Sequence, residues 1–315
     1  MSALDQVYDQ ARQGLDKLAV VLEQRHAQNA FDQVLQQNFQ VTSRDFSFEQ
    51  GVTPLSTTHS VVIGALGYLA MLYVLEKFVL KFGTLNKSFL NFIKIFHNLF
   101  LSGVSLILFT LLFENIIPRL IRNGFIWSIC DIESFSDPTI MLIYYLNYLS
   151  KYYELIDTAL LILGGSQTRF LHVYHHSLTM VLCYTQIVGH TSVQWVPILL
   201  NLGVHVVMYF YYFLTAIGLR PWWRNCVTWL QIFQFVGDII ACYIASYLHF
   251  YAPDPTKFSF GYDYCYGTPF SATGGSLLLT TYLYLFIGLL SPSEKPAAQR
   301  SAAAKGAKAA IKKKN

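Results

Sequence analysis

Apolar runs of about twenty residues, the length of an α-helix that crosses a bilayer, recur along this chain and constrain its fold more than any other feature. Seven can be marked: Ser60–Leu80, Phe96–Ile116, Ile140–Gly164, Leu171–Val188, Val193–Ala216, Val227–Phe250 and Gly274–Leu290. A segment inside lipid must pair its own backbone N–H and C=O groups, so such runs are read as helices. Only 13% of the residues are charged, roughly half the share usual in a soluble domain. The connections are short. The expectation is one all-α polytopic membrane domain of seven transmembrane helices over residues 58–291, after an N-terminal region (1–57) and before a basic tail (292–315). With mostly polar residues ahead of it, the first run is expected to be a signal anchor rather than a cleavable peptide.

Lysine and arginine orient the helices, because they are retained on the cytosolic side. Asp45 and Glu49 precede the first run, whereas Lys77, Lys81, Lys87 and Lys94 follow it. The N-terminus is therefore expected in the lumen and the C-terminus in the cytosol. On that topology Arg169, Arg220, Arg224 and seven tail cations are also cytosolic, fourteen against seven outside (Arg12, Lys17, Arg25, Arg44, Arg119, Arg122 and Lys257), with Lys151 inside a span. The tail ends KKKN, and Lys312 and Lys313 occupy the positions of a dilysine retrieval signal, which implies the endoplasmic reticulum membrane. A basic tail resting on anionic lipid is the competing reading. Asn86 heads an NKS glycosylation acceptor on the cytosolic side and is expected to stay unmodified. From Asp5 to Gln40, apolar residues at roughly helical spacing (Leu15, Leu18, Leu22, Phe31, Leu35) predict an amphipathic lumenal helix near the bilayer.

Ionisable groups inside membrane spans are expensive and usually face a bundle interior or a wet cavity. Four consecutive spans carry them in helical register. The third has Lys151, Glu154, Asp157 and Thr158; the fourth has His172, His175 and His176. In the fifth, Asn201, His205, Met208, Tyr209 and Tyr212 recur on one stripe, and in the sixth Thr228, Gln231, Gln234 and Asp238 line another. One such stripe often only joins helices by hydrogen bonding. Four together predict a ring of helices around an enclosed polar chamber, in which Lys151 offsets Glu154 or Asp157.

These elements, taken as a set, resemble the ELO family of very-long-chain fatty acid elongases, fungal members most. The histidine box is His172-Val-Tyr-His175-His176, and the KxxExxDT element is Lys151-Tyr-Tyr-Glu154-Leu-Ile-Asp157-Thr158. The NxxVHxxMYxYY element runs from Asn201 to Tyr212, and TxxQxxQF from Thr228 to Phe235. The resemblance implies condensation of a long acyl-CoA with malonyl-CoA, giving 3-oxoacyl-CoA, carbon dioxide and CoA, with no cofactor beyond the two substrates. It implies further that a ketoreductase, a dehydratase and an enoyl reductase complete the cycle in the same membrane. Membrane lipids are the other partners, a homodimer is left open, and no nucleic acid is expected.

The HxxHH spacing also occurs in membrane di-iron enzymes, but those draw roughly eight histidines from several boxes. This chain has nine in all and one cluster. Zinc held by His172, His176 and Glu154 or Asp157 has acceptable ligand types, yet no metal is expected. Soluble ketoacyl synthases carry the acyl group on cysteine, whereas Cys183 and Cys242 sit among apolar residues and Cys226 in a loop. A neutral imidazole is the remaining good nucleophile near pH 7, and its attack on a thioester gives a reactive acyl-imidazole. The residues alone leave open which box histidine carries the acyl group; the resemblance assigns it to His175. His205, with Asn201, is placed to steer the malonyl thioester or its enolate, and Glu154 and Asp157 to fix imidazole tautomers. Lys151, Tyr209, Tyr212, Gln231 and Gln234 are counted as chamber-lining substrate contacts. The box begins at the cytosolic end of its span, where CoA thioesters arrive, so an acyl tail would run into a closed tunnel towards the lumen. Arg169, Arg220, Arg224 and Lys295 stand at the mouth, where CoA phosphates would meet them; ordinary positive-inside charge explains them equally.

Two further expectations follow from the topology. Cys130 and Cys265 fall in the two long lumenal loops, where disulfides persist, and are expected to be bridged. Product length is expected to be set at the lumenal end, with Tyr243, Ser246, Tyr247 and His249 as the tunnel floor. On substrate, Gln167 resembles the polyunsaturate-elongating branch, while the fifth span resembles members that extend saturated and monounsaturated chains for sphingolipids; the second reading is preferred. A membrane metalloenzyme and a non-catalytic seven-helix receptor or transporter are the alternatives weighed.

Overall fold

The structure, a computed structural model, describes residues 3–166, 170–251 and 265–288. Gln167, Arg169, Lys257, Lys295 and the Lys312–Lys313 pair lie outside them. Among the described residues every regular element is helical: α1 (Ala3–Leu22), α2 (His26–Phe39), α3 (Thr58–Phe82), α4 (Lys87–Asn123), α5 (Phe125–Cys130), α6 (Glu133–Ser136), α7 (Pro138–Leu163), α8 (Phe170–Val188), α9 (Trp195–Ala216), α10 (Arg224–Tyr251) and α11 (Pro269–Gly288), with short 3-10 turns before α3 and α9.

Local chemistry sets the long helices' ends. Asn86 Oδ1 accepts from Ser88 and Phe89 N–H to start α4, and Asp137 caps Thr139 and Ile140, with Pro138 in the first turn of α7. Helix α4 stops at Gly124, whose φ of +84° L side chains rarely adopt. Among the described residues five helices are long and apolar enough to cross a membrane: α3, α4, α9 with its preceding turn, α10 and α11. Helices α7 and α8 coincide with the third and fourth apolar runs, but α7 carries Lys151, Glu154 and Asp157 and α8 carries three histidines.

Neighbouring contacts close a ring. Helix α4 packs on α9, α9 on α10, α10 on α11, α11 on α8, α8 on α7, and α7 back on α4. Helix α3 stands outside, against α7 and α8. Lipid is as apolar as leucine, so such a ring is held by close packing and interhelical hydrogen bonds rather than by the hydrophobic effect. The apolar core of the bundle includes Leu111, Leu112, Ile140, Tyr144, Tyr148 and Met180, all within 1% of complete burial. At Gly189 a Cβ would sit 2.5 Å from Ser271 Oγ, so only glycine lets the end of α8 meet the start of α11 this closely.

One end of the ring is sewn shut. Cys130 and Cys265 form a disulfide there. Ser192 Oγ donates to Ile129 C=O, Trp195 Nε1 to Ser128 C=O, and His249 Nδ1 to Cys265 C=O. The stretch leading into α3 lies across the same end: Tyr145 and Tyr148 donate to Pro54 and Leu55 C=O, and Gln50 donates to Tyr184 OH.

The N-terminal region departs from the single amphipathic helix expected. It is two helices, broken at Arg25, which takes a left-handed conformation (φ +48°). The break is stabilised from outside the region. Glu114 on α4 accepts from the first amides of α2, Ala27 N at 3.1 Å and Gln28 N at 3.0 Å, a carboxylate on the positive end of a helix dipole. Both helices pack on α4, with Ala19 and Gln28 buried.

Candidate active site

Helical spacing places Lys151 and Glu154 one turn apart on α7, and Asn201 and His205 one turn apart on α9; packing turns the two pairs towards each other. Lys151 Nζ donates to Glu154 Oε1 and to Asn201 Oδ1, each at 2.8 Å. An ammonium can only donate, so the Asn201 amide must present its oxygen to Lys151 and its nitrogen to His205. That nitrogen lies 3.2 Å from His205 Nε2, which therefore accepts. The ring proton is left on Nδ1, 3.4 Å from Glu154 Oε1 but out of line for a hydrogen bond. Glu154, Lys151, Asn201 and His205 are thus linked in a row by three hydrogen bonds, with His205 Nδ1 returning to within 3.4 Å of Glu154 Oε1. Lys151, Glu154 and His205 are all buried. Unpaired, either charge would be untenable there; together they hold each other.

Asp157, one turn past Glu154, belongs to a different group. His97 Nε2 on α4 donates to its Oδ1 at 2.6 Å and Tyr209 OH to its Oδ2 at 2.7 Å. The His97 ring stacks on Tyr153, with centroids 5.1 Å apart. The imidazoles nearest these carboxylates are outside the box: Glu154 lies beside His205 and bonds Lys151, Asp157 bonds His97 and Tyr209, and among the described residues neither hydrogen-bonds a box histidine.

The box histidines pack among themselves, His172 against His176 at 4.5 Å between centroids and His175 against His176 at 5.6 Å. An aromatic collar surrounds His175, with Tyr282 at 4.7 Å, Phe286 at 5.7 Å and Phe235 at 6.1 Å. Its Nδ1 lies 3.4 Å from Thr179 Oγ1. His172 Nε2 is buried without a partner among the described residues. No three His, Cys, Asp or Glu side chains among the described residues are grouped so that they could hold a metal ion.

His175 lines a cavity of about 60 Å³ inside the ring, together with Lys151, Asn201 and Gln234. A second, smaller cavity continues towards the disulfide, sharing Gln186, Val193, Cys242 and Gly275 with the first and reaching Ser246, His249 and Cys265. The first is far below the roughly 300–1,000 Å³ of ordinary ligand sites, so in this conformation there is a file of small cavities rather than an open tunnel. Of the expected floor residues, Ser246 and His249 line the second cavity; Tyr243 and Tyr247 are about half exposed on the outside of the ring.

Other expected site residues stand apart from this chamber. Gln231 Nε2 donates to Met208 Sδ at 3.2 Å, Tyr212 is 42% exposed, and Arg220 and Arg224 are exposed around the start of α10. Conversely, Cys183 and Cys242, read from sequence as surrounded by apolar residues, are on the chamber wall, Cys183 accepting from Asn147 Nδ2 at 3.7 Å. The sequence motifs do not include His97, Asn147 or Gln194. Asn147 extends the Lys151 stripe by one turn and was legible on that ground; His97 is isolated in its own helix, and only packing pairs it with Asp157.

Helices apolar enough for lipid and an internal row of ammonium, carboxylate, amide and imidazole groups define the class: a polytopic helical bundle with an enclosed ionisable site. The chain belongs to the ELO (GNS1/SUR4) family, whose model matches residues 53–293. It is 40% identical over 253 residues to putative fatty acid elongase 1 of Schizosaccharomyces pombe, covering 78% of this chain and 72% of that protein. Identity to fatty acid elongase A of Dictyostelium discoideum is 35% over 259 residues, 79% of this chain and 91% of the other. To fatty acid elongase 2 of Trypanosoma brucei brucei it is 32% over 241 residues, 72% and 87% of the two chains.

Proposed function

We propose that this protein condenses a long-chain acyl-CoA with malonyl-CoA, as the names of its relatives and the chemistry of its chamber suggest. One observation carries the reading: His175, a neutral-imidazole nucleophile, opens onto the same cavity as Lys151 and Asn201 of the buried row. His175 attacks the thioester carbonyl, its ring N–H proton passes to the departing thiolate so that CoA leaves as the thiol, and a neutral acyl-imidazole remains. Loss of carbon dioxide from malonyl-CoA gives an enolate, whose carbon attacks the acyl carbonyl and expels the imidazolide, yielding 3-oxoacyl-CoA; a proton taken up from water restores the neutral imidazole. Lys151 has three N–H donors and uses two on Glu154 and Asn201, so one is left for the oxygen on which negative charge develops. Glu154 and Asn201 hold that ammonium in place, and His205 orients the Asn201 amide. The three remaining reactions of the cycle fall to separate reductase and dehydratase enzymes, and the chains formed serve sphingolipid synthesis.

Seven crossings fit this reading, with α7 and α8 counted because their polar groups face inward. The N-terminus is then lumenal and the C-terminus cytosolic in the endoplasmic reticulum membrane, and the box faces the side where CoA thioesters arrive. The acyl chain parts the side chains along the two cavities and runs towards the disulfide end. The test is purified protein given acyl-CoA and labelled malonyl-CoA. Labelled 3-oxoacyl-CoA should form, and acyl-CoA alone should release CoA and add acyl mass to the peptide holding His175. His175→Ala should abolish both while remaining folded; full activity in that variant overturns the covalent route, and no product from the parent protein overturns the reaction.

A further inference from the structure

The cavity wall just past the reactive level is more polar than a hydrocarbon tail requires. Asn147 on α7, Gln194 at the turn before α9 and Asp238 on α10 all line it, and all are at least 97% buried. Asn147 Oδ1, Asp238 Oδ1 and both polar atoms of Gln194 have no hydrogen-bond partner among the described residues. The remaining atoms of the first two are engaged: Asn147 Nδ2 with Cys183, and Asp238 Oδ2 with Gln234 Nε2 at 3.3 Å. Buried polar atoms left unpaired cost free energy, and a plain methylene chain would leave all four so. Three residues from three separate elements line one cavity and carry four unpaired polar atoms among them, a station suited to a hydrogen-bonding group once a chain parts these side chains. The free atoms include an amide donor and at least two carbonyl-type acceptors. A hydroxyl, which both donates and accepts, matches that mixture; an alkene does not.

Resting on the elongation reading above, we propose that this station binds an oxygen function on the acyl chain, and that the protein accepts acyl-CoAs hydroxylated between about C5 and C9. The position follows from helix geometry. Asn147 lies four residues from Lys151 and Asp238 four from Gln234, one turn or about 5.4 Å beyond the reactive level. Gln194 lies seven residues from Asn201, about 10.5 Å. At about 1.25 Å per methylene against that helical rise, the station spans carbons about four to eight past the thioester carbon.

The experiment is single-round condensation by the full-length protein with labelled malonyl-CoA, palmitoyl-CoA and a series of monohydroxy-palmitoyl-CoAs. Chains hydroxylated at C5–C9 should show kcat/KM at least tenfold above chains hydroxylated at C12–C15, as one buried hydrogen bond gained or lost requires. Asp238→Leu and Gln194→Leu should each shrink that ratio several-fold, whereas Asp238→Asn, which keeps an oxygen, should preserve it. The ratio is read within each variant, so reduced yield of folded protein does not affect it. Condensation of palmitoyl-CoA with a flat hydroxyl profile, or ratios unchanged in both leucine variants, overturns this proposal alone. Failure to condense any acyl-CoA overturns the elongation reading and this one with it.

Discussion

Raising the floor of the second cavity should shorten the longest acyl chain accepted, by an amount set by the helical rise. Phe235 touches His175 and marks the reactive level on α10. Ser246 is eleven residues further and His249 fourteen, about 16 Å and 21 Å at 1.5 Å per residue. With about 1.25 Å per methylene set against that rise, these depths take about 13 and 17 carbons. Ser246 points at α11, its Oγ 3.1 Å from Ser276 Oγ. Ser246→Phe fills the gap between the two helices and moves the floor up by about 5 Å, roughly four carbons. Gly275 is the deeper test. It lines both cavities, and a Cβ there would already lie 3.1 Å from Gln186 Nε2. It stands seven residues from Tyr282, which packs on His175, so Gly275→Leu blocks the path about 10 Å down, about eight carbons. Single-round condensation over saturated acyl-CoAs of increasing length reads the cut-off directly and needs none of the later enzymes. The cut-offs should fall in the order parent, Ser246→Phe, Gly275→Leu, while Tyr247→Phe, on the outer surface, leaves the limit where it was. A cut-off that ignores depth, or that does not move, refutes the assignment of the acyl path.

Four further outcomes are expected. Lys151→Met strands the buried Glu154 carboxylate and should cost about 3–5 kcal/mol of stability, seen as a lower melting temperature in detergent; Lys151→Met with Glu154→Gln should recover the stability but not the condensation. Non-reducing peptide mapping should show Cys130 and Cys265 linked, and because the bridge closes a loop of 135 residues, its removal should cost up to about 5 kcal/mol by the chain-entropy model. Glu114→Ala removes the acceptor at the head of α2, at about 1–2 kcal/mol, and should speed amide exchange at residues 26–31 while condensation persists. His97→Ala leaves Asp157 with Tyr209 alone and should slow condensation in a folded protein, with His97→Gln, which can still donate, retaining more activity; equal rates in both would remove His97 from any positioning role.

Much of the site was legible before any coordinates. Lys151 and Glu154, or Asn201 and His205, share a helix face whatever surrounds them, since 3.6 residues make a turn. The bridge between Cys130 and Cys265 was inferable because topology left only two cysteines in one compartment. The apolar runs mark the helices of the ring, with ends within about five residues of those in the structure except at α4, which begins nine residues earlier, at the Asn86 cap, and continues to Asn123, where Glu114, Asn115 and Arg119 have partners in the N-terminal region and the α5–α6 connection.

What sequence determined by itself, then, was the set of helices and the composition of each face, because both follow from periodicity within one segment. Tertiary structure decided which faces meet. It set α3 outside the ring, turned Glu154 towards His205 and Asp157 towards His97, brought Cys183 and Cys242 onto the chamber wall, and split the N-terminal region where Glu114 caps α2. Each of these depends on how a helix is rotated about its axis against partners 50 to 100 residues away. In lipid that rotation is chosen by close packing and by which polar groups find mates across the gap, and neither quantity is written in any single segment.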